Sequence, residues 1–137
     1  MDRTPHRIHR ILVVEDNPGD AHLTQEAFSE CGYVCDLTFA DSHVAAEQLL
    51  GTDSFDLLFC DFGGDYRGSA QFFKAVRERV PTLPIIVLSG YPDAAPAYLA
   101  GANAFIRKNA DLKELFTKIQ DTMHFWVAVA ELSGGGL

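Results

Sequence analysis

The chain of 137 residues has the length of one domain, and 47% of its residues are apolar, which is enough to build a core. Its formal net charge of −8 argues against nonspecific binding to nucleic acid or to an anionic membrane surface. The segment 11–66 holds twelve Asp or Glu residues and no Lys or Arg. Such a segment favours a cation site or a basic partner, although a solvated acidic surface accounts for most of these side chains.

Three cysteines, Cys31, Cys35 and Cys60, form an odd set without C-x-x-C spacing, and we predict free thiols in or near the core. The basic N-terminal arm, 1–7, lacks the apolar run of a signal peptide, and no apolar stretch has transmembrane length. We therefore expect a cytoplasmic protein that binds neither membrane nor nucleic acid. The histidines show no ligand spacing and are predicted to lie on the surface or in the arm: His6, His9, His22, His43 and His124.

Short apolar runs alternate with segments of helical spacing along the chain. The apolar runs predict strands at 10–15, 34–40, 55–60, 83–90 and 103–108. The segments between them predict helices within 19–32, 42–51, 69–80 and 97–101, and a last helix from 111 to about 132. Pro92 and Pro96 lie around the start of the fourth helix, which is expected to be short.

Five strands that alternate with five helices predict an α/β domain over residues 8–132. Its sheet is expected to be parallel and doubly wound, with helices on both faces. The basic arm, 1–7, precedes this domain, and a flexible Gly-rich tail, 133–137, follows it.

Polar side chains lie where the predicted strands end. Glu15 and Asp16 follow the first strand, Asp61 the third, Ser89 the fourth and Lys108 the fifth. Ligands of such sheets bind at the carboxyl ends of the strands. Clustered carboxylates repel one another unless a cation joins them, and oxygen ligands suit Mg²⁺.

These residue types together indicate phosphoryl chemistry. Lys108 offers a positive charge to a phosphoryl oxygen, and Ser89 offers a hydrogen-bond donor. Asp61, fixed by the apolar run before it, can act as a nucleophile toward phosphorus. The glycines at 63 and 64 leave room for the metal and the phosphoryl group.

The motifs VVEDN, LLFCDF, VLSG and FIRK, in this order and each at a strand end, resemble the receiver domain of two-component response regulators. The resemblance implies a flavodoxin-like fold with strand order 2-1-3-4-5. It makes Asp61 the phosphoacceptor. It also implies Mg²⁺ ligation by Glu15, Asp16, Asp61 and the backbone carbonyl of Gly63.

The resemblance further implies that Ser89 closes on the phosphoryl group and that Lys108 pairs with it. Phe105 lies where the family carries an aromatic residue that swings inward on activation. The stretches VVEDNPGDAHLTQEAF and FWVAVAEL resemble a branch of small standalone regulators that work with phytochrome-type histidine kinases. In that branch the C-terminal segment belongs to a dimer interface, which here would comprise Phe125, Trp126, Val129 and Leu132.

The sequence departs from the family pattern in two loops. After Asp61 it reads FGGDYRG, with Gly64 and Asp65 where the family usually has Met or Leu and then Pro. Asn109 replaces the usual Pro after Lys108, so a cis peptide bond at this turn is in doubt. We expect phosphorylation to persist and the signalling surface to be unusual.

The leading hypothesis is a single-domain response regulator that accepts a phosphoryl group on Asp61 from a sensor histidine kinase. It would signal through protein contacts and catalyse only its own phosphorylation and dephosphorylation. The alternative is a degenerate receiver that binds partners or dimerises without phosphorylation. A phosphatase is disfavoured because position 63 is Gly and not a second Asp, and a flavodoxin-like carrier is disfavoured because the first turn is acidic.

Overall fold

A computed structural model of the protein, which describes residues 8–62, 69–108, 111–130 and 132, contains the five predicted strands. They are β1 (His9–Val14), β2 (Cys35–Ala40), β3 (Leu57–Phe62), β4 (Ile85–Ser89) and β5 (Ala104–Arg107). All pairings are parallel, and the order is β2-β1-β3-β4-β5. The fold class and the strand order implied by the resemblance are confirmed.

Five α-helices connect and follow the strands: α1 (Pro18–Ser29), α2 (His43–Leu50), α3 (Ser69–Arg79), α4 (Ala95–Ala100) and α5 (Leu112–His124). The helix starts follow local side-chain chemistry. Asn17 caps α1 by accepting hydrogen bonds from the N–H groups of Gly19 and Asp20, and Asp111 caps α5 in the same way. As predicted, α4 is short, with six residues and a proline near its start.

Side chains alternate between the two faces of the sheet. Leu12 and Leu58 face the cluster that contains residues of α2, α3 and α4. Ile11 and Phe59 face the cluster that contains residues of α1 and α5, where Phe28 packs edge-on against Phe59 at 5.0 Å. The sheet is therefore buried on both sides, as a parallel sheet requires.

The end of α5 differs from the prediction. We expected one helix to about Leu132, but the α-helix ends at His124 and a π-helical turn, Phe125–Val129, follows it. This turn closes with a hydrogen bond from the Ala130 N–H to the Phe125 carbonyl at 2.6 Å. Bulky and β-branched side chains crowd a regular α-helical turn. The wider turn lets Trp126 pack against the core.

The outer edge of β5 is covered by side chains. The Phe105 N–H donates to the Tyr98 hydroxyl at 3.1 Å, and the Arg107 carbonyl accepts from Lys118 Nζ at 3.1 Å. The Arg107 guanidinium also donates to the Pro92 carbonyl. These contacts attach α4, α5 and the loop before α4 to the last strand.

The prediction for the histidines is wrong for His9, which is buried at the start of β1 and lies edge-on against Tyr33. His43 is half-buried and stacks on Phe72 at 4.4 Å. The three cysteines are free and partly or fully buried, as predicted. Within the described residues, no helix is both long enough and apolar enough to cross a bilayer.

Several predictions lie outside the described residues. They concern the carbonyl of Gly63, the unusual loop with Gly64 and Asp65, the peptide bond between Lys108 and Asn109, the arm 1–7 and the tail 133–137.

Candidate functional site

Two buried carboxylates and one ammonium group lie together at the carboxyl end of the sheet. Glu15 and Asp61 are only 5% and 3% exposed. Lys108 Nζ donates a hydrogen bond to Asp61 Oδ1 and lies 3.9 Å from Glu15 Oε1. It also lies 3.4 Å from Asp20 Oδ2, on the more exposed side of the cluster. The sequence prediction that Glu15, Asp61 and Lys108 converge is therefore matched by the geometry.

The strands fix the backbone of this cluster. Asp61 pairs with Leu88 in the register between β3 and β4, and Phe59, two residues earlier, faces α1. Because side chains alternate along a strand, Asp61 lies on the same side as α1. The Lys108 N–H donates to the Ser89 carbonyl at 2.8 Å, so the backbone of Lys108 is held beside the end of β4.

Burial and repulsion act strongly on Glu15. Burial, followed by the hydrogen bond and the negative charge of Asp61, raises the pKa of the Glu15 carboxyl to about 8. The Asn17 N–H, which donates to Glu15 Oε2 at 3.1 Å, and the charge of Lys108 oppose this rise. The Glu15 carboxyl is therefore mostly protonated at pH 7, where an ordinary glutamate is ionised.

The same contacts act on Lys108 in the opposite sense. Burial alone would lower the pKa of its ammonium group, but the hydrogen bond and charge of Asp61, with Asp20 and Glu15, outweigh burial and raise it. Lys108 therefore stays charged over the whole physiological pH range.

Two residues of the site were missed at the sequence level. Thr24 is buried, and its hydroxyl donates to Asp61 Oδ2 at 3.5 Å, while Asp20 contacts Lys108. Both lie on α1 and are four residues apart, which places their positions along one side of the helix. That spacing, together with the expected packing of α1 beside β3, was the available signal.

The other predicted site residues take less direct positions. Ser89 is fully buried, and its hydroxyl accepts a hydrogen bond from the Tyr91 N–H at 3.0 Å. Phe105 is half-buried and packs against the cluster below α4. Asp16 is exposed, and no hydrogen bond or ion pair found among the described residues joins it to Asp61 or Lys108.

The chemistry of the donors suits a hard cation such as Mg²⁺. Glu15 Oε1 is buried, and no described residue donates a hydrogen bond to it. In the described ranges, no three acidic, His or Cys side chains are gathered as metal ligands. Here the Lys108 ammonium is the cation among the carboxylates.

The four predicted interface residues divide into two pairs. Phe125 and Val129 are 48% and 64% exposed, so they face outward from the π-helical turn. Trp126 and Leu132 are half-buried and pack against the protein's own core. The first pair is therefore the more accessible to a partner in this conformation.

Known proteins share this architecture. RcpA, a cyanobacterial phytochrome response regulator solved in its phosphorylated form, superposes with a TM-score of 0.78 at 21% identity, over 93% of this chain and 99% of that one. The response regulator Rcp1, solved in a Mn²⁺-bound form, superposes with a TM-score of 0.75 at 21% identity, over 90% of this chain and 98% of that one. At these identities the likeness concerns the fold.

Sequence comparison identifies the family. The transcriptional regulatory protein GlrR of Escherichia coli K12 is 27% identical over 121 residues, which are 86% of this chain and 27% of GlrR. The chain thus spans about a quarter of the length of that relative. The family model described as the response regulator receiver domain matches residues 11–120, most of the chain. Together with the strand order and the acidic site, this match shows that the chain belongs to the response regulator receiver domain family.

Proposed function

We propose that the protein accepts a phosphoryl group on Asp61 from a phosphohistidine of a sensor histidine kinase and passes the signal on through protein contacts. The observation that carries this proposal is the buried Asp61 carboxylate, held between the Lys108 ammonium and the Thr24 hydroxyl. Such fixation favours a reacting geometry, since the nucleophile needs little further ordering. The catalysis is limited to the protein's own phosphorylation and dephosphorylation.

In the proposed transfer, an oxygen of Asp61 forms a bond to phosphorus while the bond between phosphorus and the imidazole nitrogen of the kinase breaks. The electron pair of the broken bond remains with the imidazole, and an acyl phosphate forms on Asp61. Lys108 turns its charge from the carboxylate to the phosphoryl oxygens. Ser89, at the end of the neighbouring strand, can donate its hydroxyl hydrogen to a phosphoryl oxygen while its oxygen still accepts from the Tyr91 N–H.

We assign Mg²⁺ to this reaction, with Glu15, Asp16 and Asp61 as the side chains that would hold it and Gly63 as the proposed source of a backbone carbonyl. The buried Glu15 Oε1, to which no described residue donates, supports this assignment. The ion would neutralise charge that one lysine leaves in excess. The Mn²⁺-bound form of Rcp1 is a further support from a protein of the same fold.

For signalling we propose a homodimer through the C-terminal helix, with Phe125 and Val129 as the outward contacts. The relationship of RcpA to a cyanobacterial phytochrome supports a phytochrome-type kinase as the partner. A kinase of this class would deliver the phosphoryl group in the cytoplasm, where we place the protein. Light scattering at high protein concentration tests the dimer: a dimer that Phe125→Ser and Val129→Ser dissociate supports it, and a monomeric wild type excludes it.

The phosphorylation proposal is tested by intact-protein mass spectrometry after incubation with a purified, ATP-loaded histidine kinase of the phytochrome type and Mg²⁺, and in parallel with acetyl phosphate. We expect one phosphoryl adduct on the wild type and on Asp53→Asn, an exposed control just before β3, and none on Asp61→Asn. Chelation of Mg²⁺ should abolish the adduct. An adduct that persists in Asp61→Asn, or a wild type that no donor modifies, would contradict the proposal.

A further inference from the structure

Two thiols lie side by side at a place the phosphoryl chemistry does not use. Cys31 follows the end of α1 and Cys35 begins β2, and their sulfur atoms are 3.8 Å apart. Gly32, with a φ of +85°, occupies the left-handed region and allows the chain to reverse between them. A disulfide has a sulfur–sulfur separation of about 2.0 Å, so the two sulfur atoms must approach each other by about 1.8 Å to form one.

We propose that Cys31 and Cys35 are a dithiol modification site that peroxide-class oxidants convert to an intramolecular disulfide, and that the change is transmitted to the C-terminal turn. Neither part of this proposal depends on phosphorylation of Asp61. The bridge would close a very short loop. A disulfide across so short a loop adds little to the free energy of unfolding and is easily reduced. Those properties suit a reversible modification and not a structural crosslink.

The surroundings of Cys35 favour one order of the reaction. Burial, and then the neighbouring Cys31, raises the pKa of the Cys35 thiol to about 12, so Cys35 remains protonated. Cys31 accordingly attacks the peroxide first, forms a sulfenic acid and releases one water. Cys35 then bonds to the Cys31 sulfur, and the sulfenic oxygen leaves as a second water with the Cys35 proton. The two thiols lose two electrons in total, and one hydrogen peroxide becomes two waters.

The segment between the thiols contacts the end of α5. The Tyr33 hydroxyl and His124 Nδ1 share a hydrogen bond at 3.0 Å, and His124 is the residue directly before the π-helical turn. The Gln120 side chain donates to the Glu30 carbonyl at 3.1 Å, one residue before Cys31. A bridge that tightens the loop therefore displaces Tyr33 relative to the end of α5. The π-helical turn that contains Trp126 follows directly after this end.

The sequence provides a direct assay for the bridge. Cleavage after Glu30 and Glu47 gives the peptide 31–47, which holds Cys31 and Cys35 and not Cys60. After treatment with hydrogen peroxide we expect this peptide to lose two hydrogens and to recover them with dithiothreitol. The Cys60→Ala variant is the matched control and should behave as the wild type, because Cys60 is fully buried elsewhere.

Cys31→Ser and Cys35→Ser should lose the change in the peptide, and thiol loss at 31 should be at least about tenfold faster than at 60 in the wild type. Peptides that keep both thiols at peroxide levels that oxidise free dithiothreitol would overturn the dithiol site. So would a bridge between Cys60 and either of the others.

The transmission to the C-terminal turn has its own readout. Trp126 is the only tryptophan of the chain, so its fluorescence reports on the turn directly. We expect the emission to shift on oxidation and to return on reduction. Tyr33→Phe should still form the bridge but lose the shift, because the ring remains and the hydrogen bond to His124 does not. A bridged wild type with unchanged emission would overturn the transmission.

Discussion

Lys108→Met and Asp61→Asn should change the free energy of unfolding in opposite directions. In Lys108→Met the Glu15 and Asp61 carboxyl groups remain buried, but the positive charge beside them is lost. Asp20 loses the same partner. Breaking a buried ion pair from one side costs about 3–5 kcal/mol. Lys108 keeps 17% of its side chain exposed, so we expect the lower part of that range, about 3 kcal/mol.

Asp61→Asn removes a negative charge and keeps the shape of the side chain. The pKa of the Glu15 carboxyl is 4.5 in the unfolded chain and about 8 in the folded protein. This difference lowers the free energy of unfolding at pH 7 by about 3 kcal/mol. Burial is the largest single cause of the raised pKa, and the hydrogen bond and the charge of Asp61 are the next two, so only part of this penalty belongs to Asp61. We expect a gain of about 1 kcal/mol, since Lys108 retains Asp20 and Glu15 as partners.

The pH dependence has a definite sign. The pKa of Glu15 is raised in the folded protein, so the folded state binds its proton more tightly than the unfolded chain does. The stability that this proton contributes is fully present below pH 4.5 and is lost as the pH rises through about 8. Wild-type stability should therefore carry a downward component between those values, and Asp61→Asn should reduce its slope.

Urea unfolding in the presence of a chelator, at pH 5 and at pH 8, measures these effects. Lys74→Met is the control for a lost lysine, because Lys74 is exposed on α3, where the loss of a surface charge costs about 1 kcal/mol or less. If Asp61→Asn destabilised the protein as much as Lys108→Met, the two buried carboxylates would not be in net repulsion and the reasoning would fail.

Three further predictions follow from other contacts. Mg²⁺ should raise the urea midpoint of the wild type and raise that of Glu15→Gln much less, and equal shifts would argue against Glu15 as a ligand. Tyr98→Phe should cost about 0.5–1 kcal/mol and speed hydrogen exchange at the Phe105 amide, because the hydroxyl that accepts from this N–H is lost; unchanged exchange would refute the contact. Burial lowers the pKa of His43, so its protonation should oppose folding as the pH falls below 6.5, and an NMR titration midpoint above 6.5 would contradict this.

Much of the fold was predictable because apolar runs alternate regularly with segments of helical spacing, and because polar residues follow the ends of the apolar runs. Asp61 could be placed because it ends an uninterrupted apolar run, and the position of such a residue in a parallel sheet follows from topology. Lys108 could be placed because it lies at the end of the last predicted strand. Their mutual contact then required only that the two strands end at the same edge.

The missed features depend on side-chain rotation and packing. Thr24 reaches Asp61 only because α1 presents that face to β3, and the sequence does not specify how a helix is rotated about its axis. The apolar residues after His124 predicted a continuous helix, and the sequence did not show that this turn would widen where Trp126 packs against the core. His9 is buried because Tyr33, from a later segment, packs over it.

The side chains along the free border of β5 limit how copies of this protein can meet. An unpaired strand edge normally offers its N–H and carbonyl groups to another chain, and so invites sheet extension and aggregation. Here a strand from another molecule would first have to displace the Tyr98 hydroxyl from the Phe105 N–H and the Lys118 ammonium from the Arg107 carbonyl. Growth of the sheet into a continuous ribbon across two molecules is thus opposed at this border.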